Sequence, residues 1–235
     1  MSTVLITGAS RGIGEAASRL FANSGWDLLL VARNENSLQS LANELSLTGR
    51  KVRYKSIDLS DPSQIKTGIE DLLKDEVAPS VLINNAGVAW TGDLLSMSLT
   101  DWQWIVQMNF TSVFQICSTV VPYMRSKGGL VVNVSSHAAR NAFPQWGAYC
   151  STKAALASFT RCLAEEERMH KIRACTLTLG AVNTTLWDSD TVQSDFDRNS
   201  MLSVENVAST LLHLAEQPAT QTIEDITLMP SSGVL

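Results

Sequence analysis

The chain has little of what metal, redox or nucleic-acid chemistry requires. Its 235 residues include three histidines and four cysteines. Cys117, Cys150, Cys162 and Cys175 form no C-x-x-C pair and sit beside no clustered histidine, so no metal site is expected. Buried free thiols in a reducing compartment are the default. No apolar run approaches the roughly 18 residues of a membrane span. A strand-like Thr3-Val4-Leu5-Ile6 follows Met1 with no room for a signal peptide. The expectation is a cytoplasmic protein with no membrane partner. Positive charge is also scarce: 18 Lys and Arg against 23 Asp and Glu leave a net charge of −5, which argues against nucleic acid as a partner. No repeat, low-complexity tract or Pro/Gly/Ser-rich linker interrupts the chain, so residues 1–235 are expected to form one domain.

What is present is an alternation of two periodicities. Short apolar runs fall at 4–7, 27–32, 52–57, 80–84, 130–135, 173–179 and 223–228. Several are almost unbroken hydrophobics, as in Leu28-Leu29-Leu30-Val31, the pattern of parallel strands covered on both faces. Between them lie helical stretches at 15–24, 37–47, 62–74, 101–126, 149–169 and 204–216. Strand and helix alternating throughout predict an α/β fold with a doubly wound parallel sheet. The longest stretch without clear structure, 184–202, is expected to be a substrate lid.

The first strand runs into VLITGASRGIGEAA, which fits two incompatible motifs. Gly8-x-Ser10-x-Gly12 spells a nucleophile elbow, with Ser10 attacking and His137, His170 or His213 completing a triad. Gly8, Gly12 and Gly14 also spell a turn that lets phosphates approach a helix N-terminus. An elbow belongs deep in its sheet, and only one strand precedes Ser10. The cradle is the better reading, although its G-x-x-x-G-x-G spacing differs from G-x-G-x-x-G.

Features far downstream point the same way. Asn84-Asn85-Ala86-Gly87 ends the fourth strand, at the carboxyl edge where open α/β sheets bind ligands. Asn109 sits mid-helix among apolar residues, where an amide is costly to bury unpaired. Ser135-Ser136 closes the fifth strand, and Tyr149 and Lys153, four apart, share one face of the next helix. A phenol with an ordinary pKa near 10 donates a proton at neutral pH, and a neighbouring ammonium favours its phenolate.

Taken together, Thr7-Gly8-x-x-x-Gly12-x-Gly14, Asn84-Asn85-Ala86-Gly87, Asn109, Ser136 and Tyr149-x-x-x-Lys153 resemble the short-chain dehydrogenase/reductase family, in order and spacing from first strand to last. The resemblance implies a Rossmann-type sheet of seven strands, a nicotinamide cofactor, and hydride transfer between it and a carbonyl or alcohol. It makes Tyr149 the general acid/base. Lys153 would lower the tyrosine pKa and hold the nicotinamide ribose. The family serine lies thirteen positions before the tyrosine, which selects Ser136 to polarise the substrate oxygen. Asn109 would anchor a water relay to the lysine. Gly8, Ser10, Arg11, Gly12, Ile13 and Gly14 would form the phosphate turn, and Asn85, Ala86 and Gly87 would line the adenine-ribose side. Asp58 and Leu59 would contact the adenine. Gly180, Val182 and Thr184 would lie near the nicotinamide and pyrophosphate, with Leu179 standing where the family usually has proline.

The second strand ends Leu30-Val31-Ala32-Arg33-Asn34, with no carboxylate to take a ribose 2′-hydroxyl. Arg33, with Arg11, suits a 2′-phosphate and so predicts NADP(H). Phe143, Trp146, Trp187, Phe196 and Met201 suggest a hydrophobic or aromatic carbonyl substrate, while Asp188, Asp190, Asp195 and Asp197 make the lid acidic. A narrower version, reduction of 3-oxoacyl groups on an acyl carrier protein, would use Lys127, His170 and Lys171 for docking. A regulator that senses NADP without catalysis is the competing class. The resemblance also implies pairing of copies through the two long helices, which carry Trp102, Phe110, Phe114 and Leu163, and so a homotetramer or homodimer.

Overall fold

Leu28 to Val31 are buried with less than 3% exposure each, and their alternation between two apolar clusters organises the molecule. The computed structural model describes residues 2–76, 78–194 and 196–233. Seven strands form one sheet in the order β3-β2-β1-β4-β5-β6-β7. They are β1 (Thr3–Thr7), β2 (Asp27–Ala32), β3 (Val52–Ser56), β4 (Val81–Asn84), β5 (Gly129–Ser136), β6 (Ile172–Leu179) and β7 (Asp225–Leu228), and every pairing is parallel.

Helices α1 (Gly12–Asn23), α2 (Glu35–Ser46) and α7 (Val204–Ala215) cover one face. There Val4, Ile6, Leu28, Leu30, Val81 and Ile83 meet Phe21, Leu38 and Leu211. Helices α3 (Pro62–Leu73), α4 (Leu99–Val106), α5 (Ser112–Met124) and α6 (Gly147–Glu166) complete the set. On the other face Leu5, Leu29, Leu82 and Val131 meet Ile65 and Ile69 of α3, Ile116 and Val120 of α5, and Leu156 of α6. Odd and even strand residues thus supply opposite faces, and each fully buried Leu or Ile stabilises the fold by about 1.5–3 kcal/mol relative to exposure. The Rossmann-type doubly wound sheet expected from the sequence is the one formed. The order in which strands are added switches direction between the parallel β1 and β4, and the carboxyl ends of those strands open the crevice that positions the site.

Three expectations need correction. The helix expected over 101–126 is not uniformly α-helical: α4 and α5 are joined by a π-turn at Gln107–Thr111 with Asn109 at its centre. The 184–202 segment is not structureless. It contains short 3-10 turns at Thr185–Asp188 and Arg198–Ser200 and is pinned by a parallel bridge between Val182 and Leu202. The thiols also differ from expectation: Cys117 and Cys175 are buried, whereas Cys162 is exposed and Cys150 half-buried. No helix among the described residues is long and apolar enough to cross a membrane, and no cluster among them could hold a metal ion.

Candidate active site

The turn after β1 is shaped by contacts only glycine allows. Gly8 has φ +67°, and a Cβ there would lie 2.9 Å from Asn85 Nδ2. A Cβ on Gly14 would lie 2.2 Å from the Gly8 carbonyl oxygen, so Gly14 sets how closely α1 packs on the turn. Thr7 at the end of β1 and Asn85 just after β4 brace the turn. The Thr7 hydroxyl accepts from the backbone amides of Asn85 and Ala86 at 3.1 Å, and Asn85 Nδ2 donates to the Thr7 carbonyl at 3.0 Å. At α1 no side chain caps the N-terminus, whereas Asn34, Asp61, Ser98 and Ser203 cap α2, α3, α4 and α7. The first amides of α1 therefore remain available to an anion.

A cavity of about 520 Å³ runs from this turn across the carboxyl ends of the strands. Of the catalytic and cofactor-binding candidates named from the sequence, all line it except Gly14 and Asn109. At one end stand Arg11 and Arg33, both exposed, and neither joins an ion pair among the described residues. Asp58 and Leu59 are nearby, but the Asp58 carboxylate is taken up locally by the Ser60 amide and hydroxyl, at 2.9 and 2.7 Å.

At the other end β5 meets α6. Ser135 donates its hydroxyl to the Lys153 carbonyl at 3.3 Å, and Lys153 Nζ donates to the Val134 carbonyl at 3.0 Å, locking helix to strand. Tyr149, one turn earlier, lies with its ring centroid 5.7 Å from the Lys153 ammonium. Burial pushes the Lys153 ammonium down to about 8. Burial also pushes the Tyr149 phenol up to about 12, offset in part by the Ser136 hydroxyl beside it. Against the expected lowering by Lys153, desolvation is the largest influence on the phenol, and the ammonium donates to the Val134 carbonyl.

The π-turn explains the buried asparagine. Asn109 is 1% exposed, and its side chain is aimed at the backbone of Val88 and at Thr152 Oγ1, 3.1 Å from its Nδ2. Gly87 must be small for the same reason, since a Cβ there would sit 3.2 Å from Asn109 Oδ1 and 3.5 Å from Lys153 Nζ.

Beyond β6 the substitution of proline by Leu179 leaves an ordered path. Leu179 is a buried strand residue paired with Ser136 on one side and Leu228 on the other. Thr184 returns to the glycine turn, its Cγ2 lying 3.4 Å from where a Gly12 Cβ would be. Arg198 then fastens the segment at three points: Asn183 Oδ1 at 2.8 Å, Asp188 at 2.9 Å and the Thr184 carbonyl at 2.7 Å. Trp187 donates its indole N–H to the Val182 carbonyl at 2.8 Å and faces the cavity with Phe196, Trp146 and Phe143. Met201, expected in this pocket, does not line it, and Asp195, counted with the lid carboxylates, lies outside the described residues.

Sequence reasoning missed Arg198, Thr152 and the bracing role of Thr7; none carries a local signal, because each acts on partners distant in sequence. Lys127, His170 and Lys171 flank the amino ends of β5 and β6, the sheet edge opposite the cavity. They are therefore not at its mouth, where docking a carrier-borne substrate would need them.

Comparison with known proteins agrees with this geometry. The chain is 31% identical over 240 aligned positions to an uncharacterised oxidoreductase of Staphylococcus saprophyticus, covering 99% of this chain and 97% of that one. It is 30% identical over 221 positions to a 3-oxoacyl-[acyl-carrier-protein] reductase of Chlamydia pneumoniae, covering 91% and 89%. Its fold superposes with a TM-score of 0.90 on an alcohol dehydrogenase from the archaeon Thermococcus sibiricus complexed with 5-hydroxy-NADP, at 27% identity over 98% and 97% of the two chains. With the short chain dehydrogenase model matching residues 2–195, the chain belongs to the short-chain dehydrogenase/reductase family.

Proposed function

We propose that the protein is an NADP(H)-dependent oxidoreductase that interconverts a carbonyl compound and its alcohol, with Tyr149 as general acid/base. The observation that carries the reading is the convergence of Ser136, Tyr149 and Lys153 on the same cavity as the uncapped glycine turn. The residues fit the cofactor: a glycine cradle that a Cβ would fill, free first-turn amides, and two unpaired guanidiniums where a 2′-phosphate would lie. The neighbour from Thermococcus sibiricus, which carries a modified NADP, supports the choice of nicotinamide.

When bound, the nicotinamide supplies or accepts the hydride. The chain's own residues handle the oxygen. Ser136 donates a hydrogen bond to the carbonyl oxygen as negative charge develops there. Tyr149, held protonated by burial, delivers its proton to that oxygen and takes one back in the reverse direction. Lys153, tied to Val134, is placed to hold the nicotinamide ribose and to stabilise the phenolate after transfer. Asn109 keeps the Val88 backbone in place behind the lysine, and in this reading it anchors the water relay that returns the proton. The glycine turn, Asn85 to Gly87 and Asp58-Leu59 hold the adenosine half. Gly180, Val182 and Thr184 hold the nicotinamide half.

The same reading takes the chain as one cytoplasmic cofactor-binding domain with 184–202 as its substrate lid. It pairs copies through α5 and α6, where Phe114 is 54% exposed and meets Phe159 edge-on at 6.5 Å. The test is NADPH oxidation followed with a panel of ketones and aldehydes, beside cofactor titration. Tight NADPH binding with no turnover of any carbonyl would move the protein to the non-catalytic, cofactor-sensing class.

A further inference from the structure

We propose that the substrate is an uncharged carbonyl compound bearing an aromatic ring next to its reacting carbon. The proposal rests on the site being the carbonyl-reducing one described above, and it goes further by naming what the site admits.

Four rings form a continuous file outward from the phenol. Trp146 meets Tyr149 at 5.6 Å and 73°, Trp187 meets Trp146 at 5.8 Å and 61°, and Phe196 meets Trp187 at 5.4 Å and 81°. All four line the cavity. The file is held in advance of any ligand, since the Trp187 indole is tied to the Val182 carbonyl and Arg198 fastens the segment carrying it. A flat ring attached to a carbonyl carbon held near Tyr149 meets these indoles in the edge-to-face arrangements that aromatic groups prefer.

His137, the one histidine on the cavity wall, adds to the apolar surface. Asn141 Nδ2 approaches both the His137 carbonyl at 3.0 Å and its Nε2 at 2.9 Å. A carbonyl only accepts, so that amide nitrogen donates to both, and Nε2 accepts. The remaining Nδ1 carries the proton, is buried, and has no partner. Nε2 is thus occupied by Asn141 and Nδ1 is buried, and the ring sits tilted 6.3 Å from Phe143.

Charge excludes anions. Among the described residues the lysines and arginines lining the cavity are Arg11 and Arg33, at the ends of β1 and β2, and Lys153, which donates to the Val134 carbonyl and, on the proposed function, holds the nicotinamide ribose. None is left to pair a substrate carboxylate or phosphate beside Ser136, and burying such a group unpaired is costly. Nearby Asp188 is already satisfied by Arg198.

The test uses calorimetric binding to the full chain saturated with NADP⁺, so that no turnover occurs. Acetophenone should bind about fivefold tighter than cyclohexyl methyl ketone, which matches it in size but has no π-face. 4-Acetylbenzoate should bind at least tenfold more weakly than 4-methylacetophenone. Trp187→Leu, and separately Phe196→Leu, should reduce the acetophenone preference to within twofold while NADP⁺ affinity shows that each variant is folded. Equal binding of acetophenone and cyclohexyl methyl ketone overturns the proposal. So does a preference that survives both substitutions, or tight binding of 4-acetylbenzoate. The underlying functional reading fails differently: ketones that bind as described but are never reduced by NADPH would sink that reading and leave the binding result standing.

Discussion

Asn109 holds the backbone of Val88 from both ends: its Oδ1 accepts from the Val88 amide at 2.8 Å and its Nδ2 donates to the Val88 carbonyl at 2.9 Å. This pairing fastens the strand of chain beyond Asn84-Asn85-Ala86-Gly87 to the helix layer. The π-turn at Gln107–Thr111 supplies the extra residue that brings the amide into line. Asn109→Leu removes both partners at once. Each unpaired polar group costs about 1–3 kcal/mol, so chemical denaturation should show a loss of roughly 3 kcal/mol. A loss under 1 kcal/mol would mean the Val88 groups find other partners.

Gly14 and Gly12 should respond differently to alanine. At Gly14 a Cβ meets the Gly8 carbonyl oxygen at 2.2 Å, so the phosphate turn itself must move. At Gly12 the nearest atom is Thr184 Cγ2 at 3.4 Å, and the cost is mainly that of φ +57°, about 1 kcal/mol. Titration with NADPH should show Gly14→Ala losing most affinity and Gly12→Ala remaining within about tenfold of the parent. The reverse order would mean that the close approach at Gly14 does not shape the turn.

Arg33 should choose between the two nicotinamide cofactors. Arg33→Ala should weaken NADPH binding about tenfold or more, as expected for loss of a charge-assisted phosphate contact, and leave NADH within twofold. Arg11→Ala should act in the same direction. Equal losses for both cofactors would place these guanidiniums elsewhere than at a 2′-phosphate.

Lys153 makes stability depend on pH in a defined direction. Its pKa falls from the ordinary 10.5 to about 8 in the folded protein, so between those values the unfolded chain binds more protons and stability rises with pH. Below about 8 the full cost of the buried ammonium is present, roughly 3 kcal/mol. Lys153→Met should therefore be more stable than the parent in urea at pH 7, with most of that difference gone by pH 10. Comparing the two proteins at each pH cancels the opposing contribution of Tyr149, whose raised pKa costs stability only as pH climbs from 10 toward 12. A difference independent of pH would show that the ammonium is not desolvated as described.

The inner strands of the sheet were legible because they are buried on both faces. Runs such as Leu28-Leu29-Leu30-Val31 have no polar face to confuse the period, and all seven strands were identifiable to within two residues at each end. Less legible were features set by tertiary contact. Nothing local to Gln107–Thr111 marks a π-turn, and the partner of the Asn109 at its centre is the Val88 backbone some twenty residues earlier. The lid looked unstructured because its order comes from Arg198 and the Val182–Leu202 bridge rather than from periodicity. At the site, the spacing of Ser136, Tyr149 and Lys153 revealed which side chains share a face, but not their solvation. A helix face puts an ammonium beside a phenol; only the fold shows that Lys153 donates to the Val134 carbonyl and that the phenol is buried, which raises its pKa.

The most direct test is Tyr149→Phe, assayed for ketone reduction at saturating NADPH beside calorimetric NADPH binding. The substitution removes only the phenolic oxygen from a ring that Trp146 already packs against at 5.6 Å, so fold and cofactor site should persist. Losing the positioned proton donor should lower turnover by about 10²–10⁴-fold while NADPH affinity stays within a few-fold. Turnover within tenfold of the parent, with the cofactor still bound, would contradict the assignment of Tyr149 as the group that moves the proton.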